Sequence, residues 1–157
     1  MGETRVDLLH LLEDLRDAYP GSLEATILTE IMANALDSGA SSISFECDLT
    51  QSALTTVDDG SGMQRRELAR FHDIAASTKT RGQGIGFAGV GIKLGLLICE
   101  EVLTETRRGK THVASSWHMA SRHRAPWKWA PAPGLVAERG TAVRLKVRNA
   151  LSPLLDP

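Results

Sequence analysis

The chain has 157 residues, of which 42% are apolar and 24% are charged, and its formal net charge at pH 7 is −1. This length allows one domain with a substantial core, and this composition is typical of a globular protein. No apolar run reaches the roughly 18 residues of a membrane-spanning helix, and no signal-peptide pattern opens the chain. We therefore expect a cytoplasmic protein that is not associated with a membrane.

The small net charge conceals two halves of opposite sign. Residues 1–60 carry 12 acidic and 2 basic side chains, and residues 61–157 carry 7 acidic and 16 basic ones. This division suits an acidic half that holds a cation and a basic half that meets phosphate, but compensation between the halves explains the counts equally well. Cys47 and Cys99 lie in apolar sequence and are expected to be free, buried thiols.

Two amphipathic helices open the chain. Leucines recur among charged residues over Val6 to Tyr19, and Pro20-Gly21 ends that pattern. Ser22 is suited to cap a second helix that runs to about Asp37, because its hydroxyl can accept a hydrogen bond from a free amide of the first turn. Each helix should turn an apolar face to the core.

The second helix carries three oxygen-bearing side chains on one narrow stripe. At about 100° per residue, Asn34 lies about 40° from Glu30, and Asp37 lies about 20° away on the other side. The opposite sector of the helix is apolar and contains Ile27, Leu28, Ile31, Met32, Ala35 and Leu36. Taken alone, the stripe is most simply the solvated face of an amphipathic helix.

A hairpin follows. Residues Ser42 to Leu49 alternate between polar and apolar types, which predicts a half-buried strand, and Ala53 to Val57 predicts its partner. The second strand runs into residues 58–63, Asp-Asp-Gly-Ser-Gly-Met, whose glycines permit positive φ and the close approach of another group. A further helix is predicted over Glu67 to Ala76.

Residues 77–93 are glycine-rich, with five glycines at positions 82–91. This density disfavours a regular helix or strand and predicts a loop, followed by a helix that begins near Gly89 to Gly91. Such an arrangement is suited to bind phosphate, because the amide donors and the helix dipole point the same way. No dinucleotide fingerprint or G-x-x-x-x-G-K-[ST] motif accompanies it.

From Glu101 onward the hydrophobic period changes to two. Val102 to Thr106 and Thr111 to Met119 predict a second hairpin, and Gly140 to Val147 predicts a final strand. The intervening segment 122–134 is rich in tryptophan, proline and arginine. Its rings and cations are compatible with a platform for single-stranded nucleic acid, but an edge strand whose rings cover the core explains it better.

Four features now stand in order along the chain: Glu30…Asn34…Asp37 on a helix, Asp58-x-Gly60-x-Gly62 after a strand, Gly86-x-x-Gly89-x-Gly91 in the glycine-rich segment, and Gly140-Thr141 at the start of a strand. Together they resemble the GHKL ATPases: gyrase B, the ninety-kilodalton heat-shock chaperone, histidine kinases and MutL. The resemblance covers residues 22–148. It implies one Bergerat-fold domain over residues 1–157, an α/β two-layer sandwich with helices on one face of a mixed, mainly antiparallel sheet.

The resemblance also implies a role for each matched residue. Glu30 corresponds to the general base that activates the attacking water, and Asn34 corresponds to the Mg²⁺ ligand, with Asp37 in support. Asp58 and Thr141 correspond to the residues that bind the adenine edge, while Gly60 and Gly62 lie where a side chain would collide with the base. The other implied or candidate nucleotide contacts are Met63, Ser77, Thr78, Lys79, Gly86, Gly89, Val90, Gly91 and Lys93.

The implied function is Mg²⁺-dependent ATP binding and slow hydrolysis. Closure of residues 77–91 over the phosphates would act as a conformational switch and present a surface for a homodimer. Glu30 favours the MutL, heat-shock chaperone and MORC branch, because histidine kinases usually have Asn at the head of this helix. An ATP-binding module without turnover and an anti-sigma-type protein kinase stay open as alternatives.

Topoisomerase and MutL relatives complete their site with a lysine from a following transducer domain. We therefore expect this chain to be the N-terminal part of a larger protein or to depend on a partner or effector. A role with nucleic acid would rest on the analogy with MutL and the topoisomerases alone.

Overall fold

The computed structural model describes residue 2 and residues 6–73 and 91–156. These residues form three α-helices, six strands and two short 3₁₀ helices. In chain order they are α1 (Leu8–Asp17), α2 (Leu23–Asp37), β1 (Ile43–Asp48), β2 (Ala53–Asp58), α3 (Arg65–Phe71), a 3₁₀ helix (Ile92–Leu97), β3 (Cys99–Arg108), β4 (Thr111–Trp117), β5 (Trp127–Ala130), β6 (Gly140–Val147) and a second 3₁₀ helix (Pro153–Leu155). None of the described helices combines the length and the apolar character that a membrane span needs.

The six strands form one sheet in the order β1-β2-β6-β3-β4-β5, and each described pair of neighbours is antiparallel. The last strand in the chain, β6, therefore lies in the middle of the sheet, between β2 and β3. Leu145 of β6 is paired with Leu54 on one side and with Val102 on the other. The predicted two-layer α/β sandwich is confirmed.

The helices cover one face of this sheet, which we call the inner face. Apolar side chains of α1, α2 and the 3₁₀ helix interlock there with those of the central strands, among them Leu12, Ile27, Ile31, Ile92, Leu94, Leu96, Leu54, Val102, Val143 and Leu145. Burial of each such side chain contributes about 1.5–3 kcal/mol before the loss of chain entropy is counted. This core holds α2 and the Ile92–Leu97 helix side by side above the middle of the sheet.

Local sequence signals explain the limits of α2. The Ser22 hydroxyl accepts a hydrogen bond from the amide of Ala25 (3.1 Å), as predicted for the cap. The helix ends before Gly39, which has a φ of +78°. The predicted apolar sector is only partly covered, because Met32 and Leu36 are exposed.

The tryptophan-rich segment contains an edge strand, as predicted. On β5, the Trp127 ring stacks on His72 with a centroid distance of 4.2 Å and an interplanar angle of 7°. The guanidinium of Arg65 lies over Trp129, 4.1 Å from the ring centroid. Both rings therefore contact residues of α3 or its end, as expected for an edge strand whose rings cover the core.

The prediction for the two thiols is half wrong. Cys99, at the start of β3, is buried, and burial raises its pKa to about 12. Cys47 is exposed, because it lies on β1, which has β2 as its one neighbour among the described strands. Alternation along the sequence indicates which face a residue occupies, but it does not show that a strand is at the edge of the sheet.

Candidate functional site

Two of the sequence motifs meet at one end of the sheet. Asp58 ends β2, Thr141 lies at the start of β6, and these strands are antiparallel neighbours with Val57 opposite Ala142. The motif that follows β2 is also joined to α2, because the amide of Ser61 donates to the carbonyl of Ser38 (2.9 Å) at the end of that helix. Motifs separated by more than 80 residues in sequence thus form one site.

Asp58 is a hydrogen-bond acceptor held in place by backbone amides. Its Oδ1 accepts from the amides of Gly60 (2.8 Å) and Thr141 (3.3 Å). Burial raises the pKa of Asp58 above its ordinary value, although these two amides act in the opposite direction. Both bonds use Oδ1, and Oδ2 has no hydrogen-bond partner within the described ranges, so it can accept from a ligand.

Two glycines next to Asp58 are required by the backbone itself. Gly140 has a φ of +129°, and a Cβ there would lie 1.9 Å from the carbonyl oxygen of Asp58. Gly62 has a φ of +70°, and a Cβ there would lie 2.3 Å from the carbonyl oxygen of Arg107. The resemblance implied that a side chain at Gly62 would collide with a bound base; here it would first collide with the protein.

Thr106 was missed by the sequence analysis. Its buried hydroxyl accepts from the amide of Met63 (2.7 Å) and lies 3.2 Å from both the Gly140 carbonyl and the Thr141 hydroxyl. Its single proton can go to the Gly140 carbonyl, in which case Thr141 donates to Thr106 and keeps lone pairs for a ligand. We call Asp58, Gly60, Gly62, Met63, Thr106, Gly140 and Thr141 the Asp58 cluster.

The polar stripe on α2 is graded in exposure. Glu30 is only 3% exposed, Asn34 is half-buried and Asp37 is exposed. A solvated face is therefore excluded for Glu30, whereas Asp37 fits that simpler interpretation. The stripe runs from the buried interior to the surface along less than two turns of helix.

Gly91 and Lys93 lie against the buried end of this stripe. A Cβ at Gly91 would lie 2.4 Å from the Cβ of Glu30, so the two residues are in direct contact. Lys93 is 1% exposed, and no carboxylate oxygen of the described residues lies within 4.0 Å of its ammonium. We call Glu30, Gly91 and Lys93 the Glu30 cluster.

Within residues 6–73 and 91–156, the charge of Lys93 is compensated only at a distance. Burial lowers its pKa, while the carboxylates of Asp73 and Glu30 act in the opposite direction. Burying an ammonium without a close anion is costly, so such groups in proteins normally meet a carboxylate or a ligand. An anion that enters beside Glu30 would find a cation already in place.

The donor atoms present also fit Mg²⁺. Among the described residues there is no group of three or more His, Cys, Asp or Glu side chains that could hold a metal ion. Mg²⁺ commonly takes only one or two protein oxygens and fills its other positions with water and phosphate oxygens. The half-buried amide of Asn34, one turn from Glu30, is suited to that limited role.

Several predicted contacts lie outside the described residues: Ser77, Thr78, Lys79, Gly86, Gly89 and Val90. The helix predicted over Glu67 to Ala76 is displaced: it begins at Arg65 and ends at Phe71. Positions 74–76 of that prediction lie outside the described residues. The helix predicted after the glycine-rich segment is present at Ile92–Leu97 as a 3₁₀ helix, a form common in short pieces.

The chain also matches known proteins in sequence. The family model "Histidine kinase-, DNA gyrase B-, and HSP90-like ATPase" matches residues 22–133. The "Chaperone protein HtpG" of Rhodopseudomonas palustris (strain BisB18) is 27% identical over 171 residues, which cover 99% of this chain and 27% of the chaperone. The "DNA mismatch repair protein MLH3" of Arabidopsis thaliana is 31% identical over 74 residues, covering 41% of this chain and 6% of the repair protein. The chain thus spans about a quarter of the chaperone's length.

Proposed function

Because this chain belongs to the GHKL family of histidine kinase-, DNA gyrase B- and HSP90-like ATPases, we propose that it binds ATP with Mg²⁺ and hydrolyses it slowly. The observation that carries the proposal is the Asp58 cluster, in which a carboxylate and a hydroxyl from distant motifs meet at one strand end. Both groups have acceptor positions to offer a ligand. Glu30 and Lys93 supply the buried charges that the reaction of a phosphate needs.

The chemistry of the Asp58 cluster favours adenine. Asp58 Oδ2 can accept from an exocyclic amino group, and Thr141 can accept from a second donor or from a bridging water. Guanine carries a carbonyl oxygen where adenine carries its amino group, so two acceptors would face each other. Adenine-specific binding follows from this mismatch, because a bound base would cover the half-buried carboxylate, and an unmatched buried acceptor costs about 1–3 kcal/mol.

The Glu30 cluster is suited to the phosphate end of the nucleotide. We propose that Asn34 would hold Mg²⁺, which when bound supplies positive charge to the phosphate oxygens. Lys93 offers its ammonium to a terminal phosphate, and Glu30 orients a water and accepts its proton. The proposed switch, in which residues 77–91 close over the phosphates and a homodimer forms, belongs to the same hypothesis.

The test separates nucleotide binding from hydrolysis. Glu30→Gln keeps the shape of the side chain but removes its basicity, so we expect analogue binding within about twofold of wild type and hydrolysis reduced by about 10²–10⁴-fold. Binding is titrated with a non-hydrolysable ATP analogue in Mg²⁺, and hydrolysis is followed in single turnovers. Glu24→Gln, in the first turn of the same helix, is the control and should change neither value.

Each alternative has its own result. Analogue binding without hydrolysis in the wild type would identify a module without turnover. Transfer of labelled phosphate to a protein in a lysate would identify a kinase, whereas release as free phosphate counts against one. Equal, nonzero hydrolysis in wild type and Glu30→Gln would remove Glu30 as the base. Absence of nucleotide binding by the folded protein would overturn the proposal as a whole.

A further inference from the structure

The two edges of the sheet are built differently. β5 has four residues, lies between Pro126 and Pro131, and carries an exposed Lys128. Proline, lysine and short length are the devices with which proteins prevent an edge strand from pairing with another chain. β1 has six residues without proline or lysine, and it pairs with β2 in continuous register. Among the described strands none pairs with the outer edge of β1, so this edge is open to a further strand.

The backbone groups that β1 presents can be identified. The amide of Asp59 donates to the carbonyl of Ser42 (3.3 Å), which makes this a hydrogen-bonded pair of the antiparallel hairpin. Such pairs alternate along a strand, so the amides and carbonyls of Ile43, Phe45 and Cys47 point away from β2. Three consecutive outward positions are enough to pair with an extended segment.

An exposed apolar side chain lies at the centre of this edge. Phe45 shares the inner face with Ile43, which packs against the core, and with Cys47, yet Phe45 is 47% exposed. On the same face, α2 presents Met32 and Leu36, which are 46% and 59% exposed. An open strand edge beside exposed apolar side chains is the arrangement used when a peptide adds a strand to a sheet.

Charge indicates what kind of segment fits. Residues 17–64 contain eight acidic side chains and no lysine, arginine or histidine. Within β1 itself, Glu46 and Asp48 are exposed and lie on the outer face of the sheet, opposite in phase to Phe45. If β1 paired with β1 of a second copy, these carboxylates would lie near one another, and like charges across strands are destabilising.

We propose that β1 binds an extended, basic segment of a partner protein as a seventh strand of the sheet. The alternation of faces specifies the segment: its apolar residues cover Phe45 on the inner face, and its lysines or arginines meet Glu46 and Asp48 on the outer face. The proposed contacts lie on the side of β1 that faces away from β2, although Ile43 of β1 is paired with Asp58 of the nucleotide site. The interaction does not depend on whether the chain binds or hydrolyses ATP.

The probe is a labelled heptapeptide in which lysine and valine alternate. The control is a labelled heptapeptide of the same composition in which the lysines and the valines form two separate blocks. We expect the alternating peptide to bind at least about tenfold more tightly, by fluorescence anisotropy, because only it places every lysine on one face. Amide shifts in NMR spectra should be confined to β1 and its neighbours. If the two peptides bind equally, the proposal that the peptide adds a strand at β1 is wrong, and the binding reflects only nonspecific charge attraction.

Variants test the position. Glu46→Lys should weaken the alternating peptide by about tenfold or more, whereas Asp14→Lys on α1, with the same change in net charge, should change binding by less than about twofold. Phe45→Thr keeps strand propensity and removes the apolar anchor, so it should weaken binding without unfolding the chain, which circular dichroism checks. Equal loss in Asp14→Lys and Glu46→Lys would overturn the site at β1. A wild-type dimer that Phe45→Thr dissociates would assign β1 to a second copy instead.

Discussion

The Asp58 cluster and the Glu30 cluster are stabilised in opposite ways. In the Asp58 cluster, the acceptors Asp58 and Thr106 receive hydrogen bonds from backbone amides at 2.7–3.3 Å. The groups that hold these side chains in place are therefore neutral. In the Glu30 cluster, Glu30 and Lys93 are buried charges, and burial opposes the charge of Lys93. The Asp58 cluster is thus held by hydrogen bonds within the protein without a ligand. The Glu30 cluster, in contrast, should gain the most stabilisation when an anion binds.

The contrast between the two clusters indicates which groups determine base selectivity and which contribute binding free energy. Groups fixed by the backbone do not need to rearrange, so they can distinguish one base from another at little cost in ordering. Buried charges lower the stability of the empty protein, and a ligand of opposite sign returns that free energy as affinity. The two ends should therefore respond to substitution with opposite relations between stability and binding.

The largest effect is expected at the Asp58 cluster. Gly140→Ala combines a φ of +129° with a Cβ 1.9 Å from the Asp58 carbonyl oxygen, so either β2 or β6 must shift. We expect the free energy of unfolding to fall by about 3 kcal/mol or more, with nucleotide binding lost in parallel. Urea denaturation and an analogue titration measure the two quantities.

Gly134→Ala is the matched control for this prediction. Gly134 also has positive φ, +89°, but a Cβ there meets no atom within 4 Å. Only backbone strain is added, which should cost about 1 kcal/mol and leave binding unchanged. Equal destabilisation by the two substitutions would mean that the contact between Gly140 and Asp58 does not matter.

The opposite relation is expected at the Glu30 cluster. Lys93→Met fills the same space without the buried charge, so the free energy of unfolding should stay equal or rise by up to about 2 kcal/mol. Binding of the ATP analogue should weaken by about tenfold or more while ADP binding changes little, because only the terminal phosphate loses its cation. The comparison is made in Mg²⁺ by titration and by urea denaturation.

Lys93→Arg sharpens this result, because it keeps the charge in a larger side chain. Partial recovery of ATP binding, together with lower stability than Lys93→Met, is the expected outcome. If Lys93→Met instead unfolds more easily and binds ATP normally, Lys93 is a structural residue and the difference between the two clusters disappears.

Local features were predictable because local physics sets them. The cap at Ser22 and the alternation of Gly140 to Val147 depend on neighbouring residues, and both are present. The pairing of β6 between β2 and β3 is not local, since it depends on which strands bury their apolar faces together. Thr106 could be found only once its register opposite Thr141 was known.

Burial was the other quantity that sequence could not supply. Lys93 was a candidate phosphate contact in the sequence, but its burial becomes visible only once the Ile92–Leu97 helix is packed against α2. Phe45 and Cys47 have the pattern of core residues, but β1 lies at an edge where too little covers them. A sequence pattern indicates which face of a strand a side chain occupies. Whether that side chain is buried depends on which other elements pack against that face.

The smallest effect concerns the reach of the charge on Lys93. The ring of His72 lies between Ala69 and Ser115, with Nδ1 3.2 Å from the carbonyl of Ala69 and Nε2 2.8 Å from the hydroxyl of Ser115. Burial lowers its pKa, and the nearby Lys93 charge lowers it further. The unfolded chain therefore takes up a proton first as the pH falls below about 6.5, and stability should decrease from there downward until the folded His72 is also protonated.

One proton limits this slope to about 1.4 kcal/mol per pH unit. Urea denaturation is measured between about pH 7.5 and pH 5 in steps of about half a pH unit. The dependence of the free energy of unfolding on pH should be flatter in His72→Gln than in the wild type. Lys93→Met should also flatten it, because loss of the neighbouring positive charge raises the pKa of His72. If the slope is unchanged in Lys93→Met, the charge of Lys93 does not influence the protonation of His72. The electrostatic effect of the buried ammonium would then be confined to the Glu30 cluster, where it is proposed to meet the phosphate.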